Sequence, residues 1–273
     1  MSVTTPDLDA AALLATYDAQ LRAHLPDPLP AGATVERDGP LVRLRGLDEG
    51  GFITYTDLGG LDGPELDALI ARQTALFTEL GESVEWKLHG HDLPRDLPDR
   101  LTAAGFAPEE RETVVVGAVA PLAAAVPVVP EGVRLREVSS RAELDRIARL
   151  GETIHPGTSR EWWADAMERE IAAGPQSVTI VVAETDDEAR TLVCAAWIRY
   201  VGGTAFGTLW GGGTHPDHRR RGIYKSLVAY RARLADRRGF TLLQVDASDE
   251  SRPILERLGF TALTTTTPYV FRP

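Results

Sequence analysis

Apolar positions recur at spacings of three and four from just after Pro6-Asp7, with Leu14, Tyr17, Leu21 and Leu25 in phase, and predict a helix ending at "PDPLP". Two alternating runs follow, "LVRLRGL" and "GFITYTDL", which read as strands joined by a turn over Asp48 to Gly51. A second helix is expected from about Pro64 to Leu80, with Leu66, Leu69, Ile70, Phe77 and Leu80 on one face and Gly81 closing it. "SVEWKLH" reads as a strand, "DLPDRLTAAGF" as a short helix stopped by Gly105, and "ETVVVGAV" as another strand. From Ala118 to Pro130 the chain is almost wholly Ala, Val and Pro, which predicts a linker or a crossover strand because proline breaks helix and sheet alike.

The pattern then restarts. "GVRLREV" is a strand, and "SRAELDRIARLGE" and "SREWWADAMEREIAA" are helices opened by serine caps, with Glu143 three residues on in the first. Three strands follow, "SVTIVVAE", "TLVCAAWIRYV" and "TAFGTLWGGGT", then a long helix to Arg238, the strand "TLLQVDA", a short helix to Leu258 and the strand "TPYVF". Strands and helices mix without strict alternation, which predicts an α+β fold with a mixed sheet. Leu101, Gly105 and Phe106 are spaced as Leu255, Gly259 and Phe260 are, so the two halves are expected to repeat one fold.

Length and charge narrow the function classes. A chain of 273 residues suits two domains, and 43% hydrophobic with 25% charged residues is a globular composition. The formal charge of -11 argues against nucleic acid, whose phosphates demand a basic surface. No run approaches the ~18 apolar residues of a membrane span and the N-terminus has no leader-like pattern, so a cytoplasmic protein is expected. Cys194, inside "TLVCAAWI", reads as a small buried hydrophobe and not as a nucleophile.

The exception to the acidic balance is "GTLWGGGTHPDHRRRGIYKSL", Gly207 to Leu227. Three glycines weaken the strand and predict a bulge or a close backbone approach. After Pro216, Arg219 to Gly222 lead into a helix whose inward stripe is Ile223, Leu227, Tyr230 and Leu234. Arginines at a helix N-terminus, with free N–H groups and a glycine, make an anion site that fits a pyrophosphate. The stretch lacks the endings of a Walker loop or a dinucleotide fingerprint. His215 and His218 have no complementary ligand set nearby, nor does "HGHD" at His89 to Asp92, and no metal is expected.

"THPDHRRRGIY" entering a helix, then a strand, then "SRPILERLGF", resembles the GNAT superfamily of acetyl-CoA-dependent N-acyltransferases over roughly Gly132 to Pro273. The resemblance implies that Gly213, Thr214 and neighbouring backbone pair with the pantetheine arm. It further implies that Arg219, Arg220, Arg221, Gly222, Ile223 and Tyr224 wrap the pyrophosphate, and that "TAFGTLWGGGT" and "TLLQVDA" splay apart to admit the arm. Two departures stand out: Tyr224 replaces a small residue, and Leu255 replaces the tyrosine that protonates the leaving thiolate. Ser248 takes the place of the usual Asn before the last helix, and Ser251 follows it in the coenzyme-binding set. The first half resembles a worn copy of the same fold; its loop "LGGLDGPELD" carries Asp62, Glu65 and Asp67 and no base, which would repel a pyrophosphate. The expected organisation is a degenerate, non-catalytic domain over 1–120, a linker over 121–131 and a catalytic domain over 132–273.

The activity so implied is transfer of an acetyl group from acetyl-CoA to a primary amine of a small molecule or peptide, by a monomer or homodimer. An amine with a lysine-like pKa lies roughly three units above neutrality, so presenting it neutral costs ~4 kcal/mol unless a base takes the proton. Asp246, Glu184 and His155 are the candidate bases; Tyr224, Ser251 or water are candidate acids. The competing expectations are a non-catalytic acyl-CoA-binding or regulatory protein and an interaction scaffold without coenzyme A.

Overall fold

The computed structural model describes residues 9–47, 50–126, 128–157, 161–174 and 176–273. Along the chain run α1 (Ala10–Gln20), β1 (Thr34–Asp38), β2 (Leu41–Leu47), β3 (Gly50–Thr54), α2 (Gly63–Leu80), β4 (Val84–His89), α3 (Leu97–Ala103), β5 (Ala107–Pro108), β6 (Glu112–Ala118) and α4 (Val119–Ala124). They are followed by β7 (Val133–Val138), α5 (Arg141–Ile154), α6 (Glu161–Ala173), β8 (Val178–Thr185), β9 (Leu192–Tyr200), β10 (Phe206–Thr214), α7 (Ile223–Arg237), β11 (Leu242–Ala247), α8 (Arg252–Arg257) and β12 (Thr261–Phe271). No helix among the described residues is long and apolar enough to cross a membrane.

The chain divides into two compact units that are not its two halves. The first takes Leu8–Val115, Asp246–Arg252 and Ala262–Pro273; the second takes Val116–Val245 and Pro253–Thr261. In the first unit the strand order is β1-β2-β3-β4-β12-β6. β1, β2 and β3 are antiparallel neighbours, β3 and β4 run parallel with α2 as the crossover, and β12 lies antiparallel to β4 with Thr266 opposite His89. In the second unit the order is β11-β10-β9-β8-β7, antiparallel throughout except for the parallel pair β10 and β11, which α7 connects. Both units thus use antiparallel neighbours followed by a parallel step through a long helix, the mixed α+β arrangement of the GNAT fold.

Each core follows from the apolar stripes. Leu66, Leu69, Ile70 and Phe77 of α2 close over Ile53 and Trp86 in the first unit. In the second, Leu144 and Ile147 of α5 and Trp163 and Met167 of α6 pack with Ile180 and Val182 of β8. The repeated Gly-Phe signal has one geometry at both sites: Phe106 N–H donates to Leu101 O at 3.0 Å, and Phe260 N–H to Leu255 O at 3.1 Å. The glycine between them stands at φ 94° in one and 98° in the other, the left-handed helix stop that glycine allows.

Several expectations change. The Ala/Val/Pro stretch, expected as a linker or crossover strand, begins as the helix α4: its Ala123 carbonyl accepts from Arg233 Nε at 3.0 Å, so α4 is fastened to α7. β1 escapes a hydropathy reading because "TVERD" is mostly polar, and Glu36 instead pairs with Arg43 and Arg45 on the neighbouring strand. β12 runs well beyond "TPYVF", since its threonines suit a strand as well as the apolar residues do. Ser140 does stand at the start of α5, but its side chain makes no cap bond and Glu143 turns to Arg136 and Arg146, so the capping box does not form. Asp48 of the expected turn and Ser159, the expected cap of α6, lie outside the described residues.

Candidate functional site

β10 enters its sheet regularly and leaves it distorted. It pairs with β11 only through Phe206, Gly207 and Thr208, opposite Leu242, Leu243 and Gln244. Beyond Thr208 it continues against β9 alone, and its register shifts between Gly211 and Gly213. Pairing with β11 therefore stops just before the bulge. The bulge needs glycine: Gly211 and Gly212 stand at φ 70° and 92°. Space demands it too, because a Cβ on Gly211 would lie 2.5 Å from the Trp197 ring and one on Gly212 2.6 Å from the Tyr224 ring. Gly213 has more room, its nearest neighbour being Ile154 at 3.1 Å.

The arginine loop follows directly. Pro216–His218 form a single 3-10 turn, Arg219 is extended, Arg220 is left-handed at φ 62°, and Gly222 caps α7 at φ 87°. The first bond of the helix runs from Ser226 N–H to Gly222 O at 3.1 Å, which leaves the N–H groups of Ile223, Tyr224 and Lys225 ahead of the ladder and directed out of the helix start. Arg219 Nε donates to Thr214 O at 3.2 Å, and Arg221 donates to Glu131 O at 3.1 Å while its other nitrogen meets His218 Nδ1 at 3.1 Å. Ser226 Oγ donates to Val128 O at 2.6 Å. The loop is thus braced by its own arginines and by residues 128 and 131. Positive charge, oriented N–H groups and a glycine-permitted approach coincide at one helix start, which is chemistry for a phosphate-bearing ligand.

The expected bases fall in different settings. Glu184 is fully buried, accepting from Arg136 at 2.8 Å and twice from Arg134. Burial would raise its carboxyl, but the guanidinium bonds from Arg136 and Arg134 outweigh this and hold it below the ordinary range. A carboxylate so held and closed to solvent cannot take a proton from an amine; Glu184 is an ion-pair anchor for β7 and β8. His155 is exposed at the C-terminal end of α5, its N–H bonded to Gly151 O. Asp246 stands near the end of β11 and accepts from Lys87 Nζ at 2.5 Å, both groups partly exposed.

Asp246 belongs to a polar cluster of the first unit that periodicity did not reveal. Burial works to lower Lys87, but Asp246 and Tyr17 outweigh it and the ammonium is raised. Glu112, half-buried, is pushed up to about 7 by burial and by Asp246. Tyr17 Oη meets His89 Nε2 at 3.0 Å; burial and the nearby cations Arg22 and Lys87 lower His89 to about 2, so it is neutral. The signal in the sequence was a charged residue on each of three strands, which alternation alone reads as a solvent face.

Ser248 and Ser251 form a local turn, Ser251 N–H donating to Ser248 O at 3.1 Å and the two hydroxyls lying 3.2 Å apart. Leu255 is fully buried. Cys194 is buried, its thiol pushed up to about 11, and it accepts from Thr214 Oγ1 at 3.4 Å. Among the described residues no group of three or more His, Cys, Asp or Glu side chains is arranged to hold a metal.

The loop of the first unit that follows β3 is built oppositely. Asp62 caps α2 with its own carboxylate, accepting from Gly63 N–H at 2.5 Å, and Pro64 removes a further donor from the helix start. A cleft of about 640 Å³ beside it is lined by Asp18, Asp57, Asp62 and Asp92 against Arg22 and Arg95.

Residues 144–260 match the model of the acetyltransferase (GNAT) family. Among solved structures the chain is similar to a GCN5-related N-acetyltransferase from Kribbella flavida, at 19% identity and a TM-score of 0.68, covering 97% of this chain and 96% of that one. It is similar to a tandem GNAT protein from the clavulanic acid biosynthesis pathway, at 14% identity and a TM-score of 0.63, covering 88% and 83%. A GCN5-related N-acetyltransferase from Sphaerobacter thermophilus gives 15% identity and a TM-score of 0.62, covering 88% and 76%. Among curated proteins none matches.

Proposed function

We propose that this chain, an acyltransferase with a GNAT domain over residues 144–260, takes the acetyl group of acetyl-CoA and passes it to a primary amine of a small molecule or peptide. One observation carries the reading: β10 stops pairing with β11 at Thr208, just before its glycine bulge, and then feeds the arginine-braced start of α7. The opened strand pair would take the pantetheine arm through backbone groups around Gly213 and Thr214. The N–H groups of Gly222, Ile223 and Tyr224, with Arg219, Arg220 and Arg221 around them, would take the pyrophosphate.

In this reading the amine attacks the thioester directly. Backbone N–H groups of the bulge polarise the carbonyl, donors that need no reorganisation as the oxyanion forms. Of the three candidate bases, Asp246 is the carboxylate that keeps some access to solvent, near the end of β11 where it accepts from Lys87. Burial raises the Tyr224 hydroxyl, so it stays protonated at neutral pH and can donate toward a leaving thiolate. Ser248 and Ser251 are bonded chiefly to each other, which supports a turn-forming part more than a coenzyme contact.

The acidic loop at the start of α2 argues that coenzyme A binds once per chain. A second reading, a protein that binds acyl-CoA without turnover, is favoured by buried Leu255 standing in place of the family tyrosine. Calorimetric titration with acetyl-CoA, beside an Arg219→Ala/Arg221→Ala double variant, tests the first reading: one site per chain, much weakened in the variant, is expected. No binding, or two equal sites, would overturn it. A screen of amines for thiol release then separates the readings, since binding with no release from any amine selects the second.

A further inference from the structure

Arg231 is 1% exposed and sits on α7 one turn beyond Leu227, among Leu227, Val228 and Leu234. Its Nε donates to Leu227 O at 3.1 Å, and its Nη1 donates to both Trp197 O and Trp210 O at 3.0 Å. Nη2 is buried without a partner. Among the described residues no carboxylate forms an ion pair with it, and burial lowers its pKa against the opposing pull of Tyr224 and Cys194. A guanidinium is never neutral in a protein, so the second unit keeps an uncompensated cation in its interior. An apolar side chain of similar volume there would fold at less cost. That expense points to a role beyond packing.

The partners say what the role is. Trp197 and Trp210 are cross-strand partners on β9 and β10, immediately ahead of the bulge. The carbonyl of Trp210 belongs to the same planar, trans peptide as the N–H of Gly211, so fixing one toward Arg231 fixes the other in the opposite direction. Gly211 is left-handed, a conformation in which that peptide would otherwise be freer to turn. A positive charge on the carbonyl oxygen also polarises the whole peptide and strengthens its N–H as a donor.

We infer that Arg231 is a positioning residue for acyl transfer: it holds the Trp210–Gly211 peptide so that the Gly211 N–H is fixed and strengthened as a donor to the thioester carbonyl. This rests on the reading that acetyl-CoA binds along β10. α7 then serves the substrate twice, its start meeting the pyrophosphate and its middle gripping the bulge from behind.

The test is difference infrared spectroscopy of acetyl-CoA carrying a 13C-labelled acetyl carbonyl, with wild type, Arg231→Met and Arg231→Lys, each first checked for a cooperative melt and for acetyl-CoA affinity by calorimetry. Wild type is expected to lower the carbonyl stretch on binding. Arg231→Met should lose about half or more of that shift while its Kd stays within about threefold of wild type, and Arg231→Lys should fall between. An undiminished shift in Arg231→Met would overturn the inference and leave the binding reading intact, as would a loss that merely follows a loss of affinity. If wild type fails to bind acetyl-CoA at all, the binding reading falls first and takes the inference with it. Should neither variant fold, 15N-glycine-labelled wild type decides: the Gly211 amide proton is expected downfield with acetyl-CoA relative to coenzyme A lacking the acyl group, and an equal position with both would overturn the inference.

Discussion

The ring of Tyr224 lies in the space that a Cβ on Gly212 would fill, 2.6 Å from its Cε2. The large residue at the helix start and the missing side chain in the bulge are therefore one packing unit. Gly212→Ala meets two obstacles, the ring and a backbone at φ 92°. A loss of about 2–4 kcal/mol is expected from strain and overpacking together. In a Tyr224→Ala background the steric part vanishes and only the backbone part remains. Chemical denaturation of the four proteins of this cycle measures the coupling, and additivity would show that the two residues do not share the space.

Arg220, alone of the three loop arginines, has a left-handed backbone. Arg219 and Arg221 brace the loop through Thr214 O and Glu131 O. Arg220→Ala is expected to weaken acetyl-CoA by about tenfold at low salt and by less at high salt, as a screened charge contact does. Arg221→Ala should also lower the melting temperature, because it releases the loop from residue 131. Calorimetry at two ionic strengths with a parallel thermal melt separates the effects.

Removing Glu184 would leave Arg134 and Arg136 facing a buried gap. Glu184→Ala should destabilise by about 3–5 kcal/mol and leave acetyl-CoA affinity unchanged. Because its folded pKa is depressed, its contribution is present above the ordinary carboxyl range near 4.3 and is lost as pH falls through the lower folded value. The variant should therefore show a flatter acid limb when stability is measured against pH.

His89 has the same sign for another reason. It is neutral when folded and lowered to about 2, while an unfolded histidine titrates near 6.5. Between these values the unfolded state binds the extra proton, so stability rises with pH up to about 6.5 with a slope approaching about 1.4 kcal/mol per pH unit. His89→Gln should remove much of that slope. An unchanged slope would mean that His89 is already charged in the folded protein.

Much of the fold of the second unit was legible because its turns and the direction of α7 are written in local signals. Gly222 is a glycine because the chain turns left-handed there, and the arginines precede a stripe that fixes which end of α7 they occupy. Arg231 was not legible, although it lies four residues after Leu227 on the buried face: an arginine in an amphipathic pattern is read as solvent-facing, and only the carbonyls of Trp197 and Trp210 explain its place. Tyr230, read into that stripe, is half-buried and donates to Glu137 at 3.0 Å. Glu184 closed an apolar run and looked like a strand-end acid, because its partners come from β7, some fifty residues earlier. Long-range charge pairing leaves no period to read.

β12 pairs with β4 although the paired residues lie about 180 positions apart in the chain. During synthesis the first unit can therefore gather α2 and its early strands but cannot be closed until the segment through Phe271 has left the ribosome. Until then β4 offers an open edge to any passing strand. A fragment cut at residue 120 would carry that open edge permanently, and supplying the remainder as a separate polypeptide would be the natural way to close it.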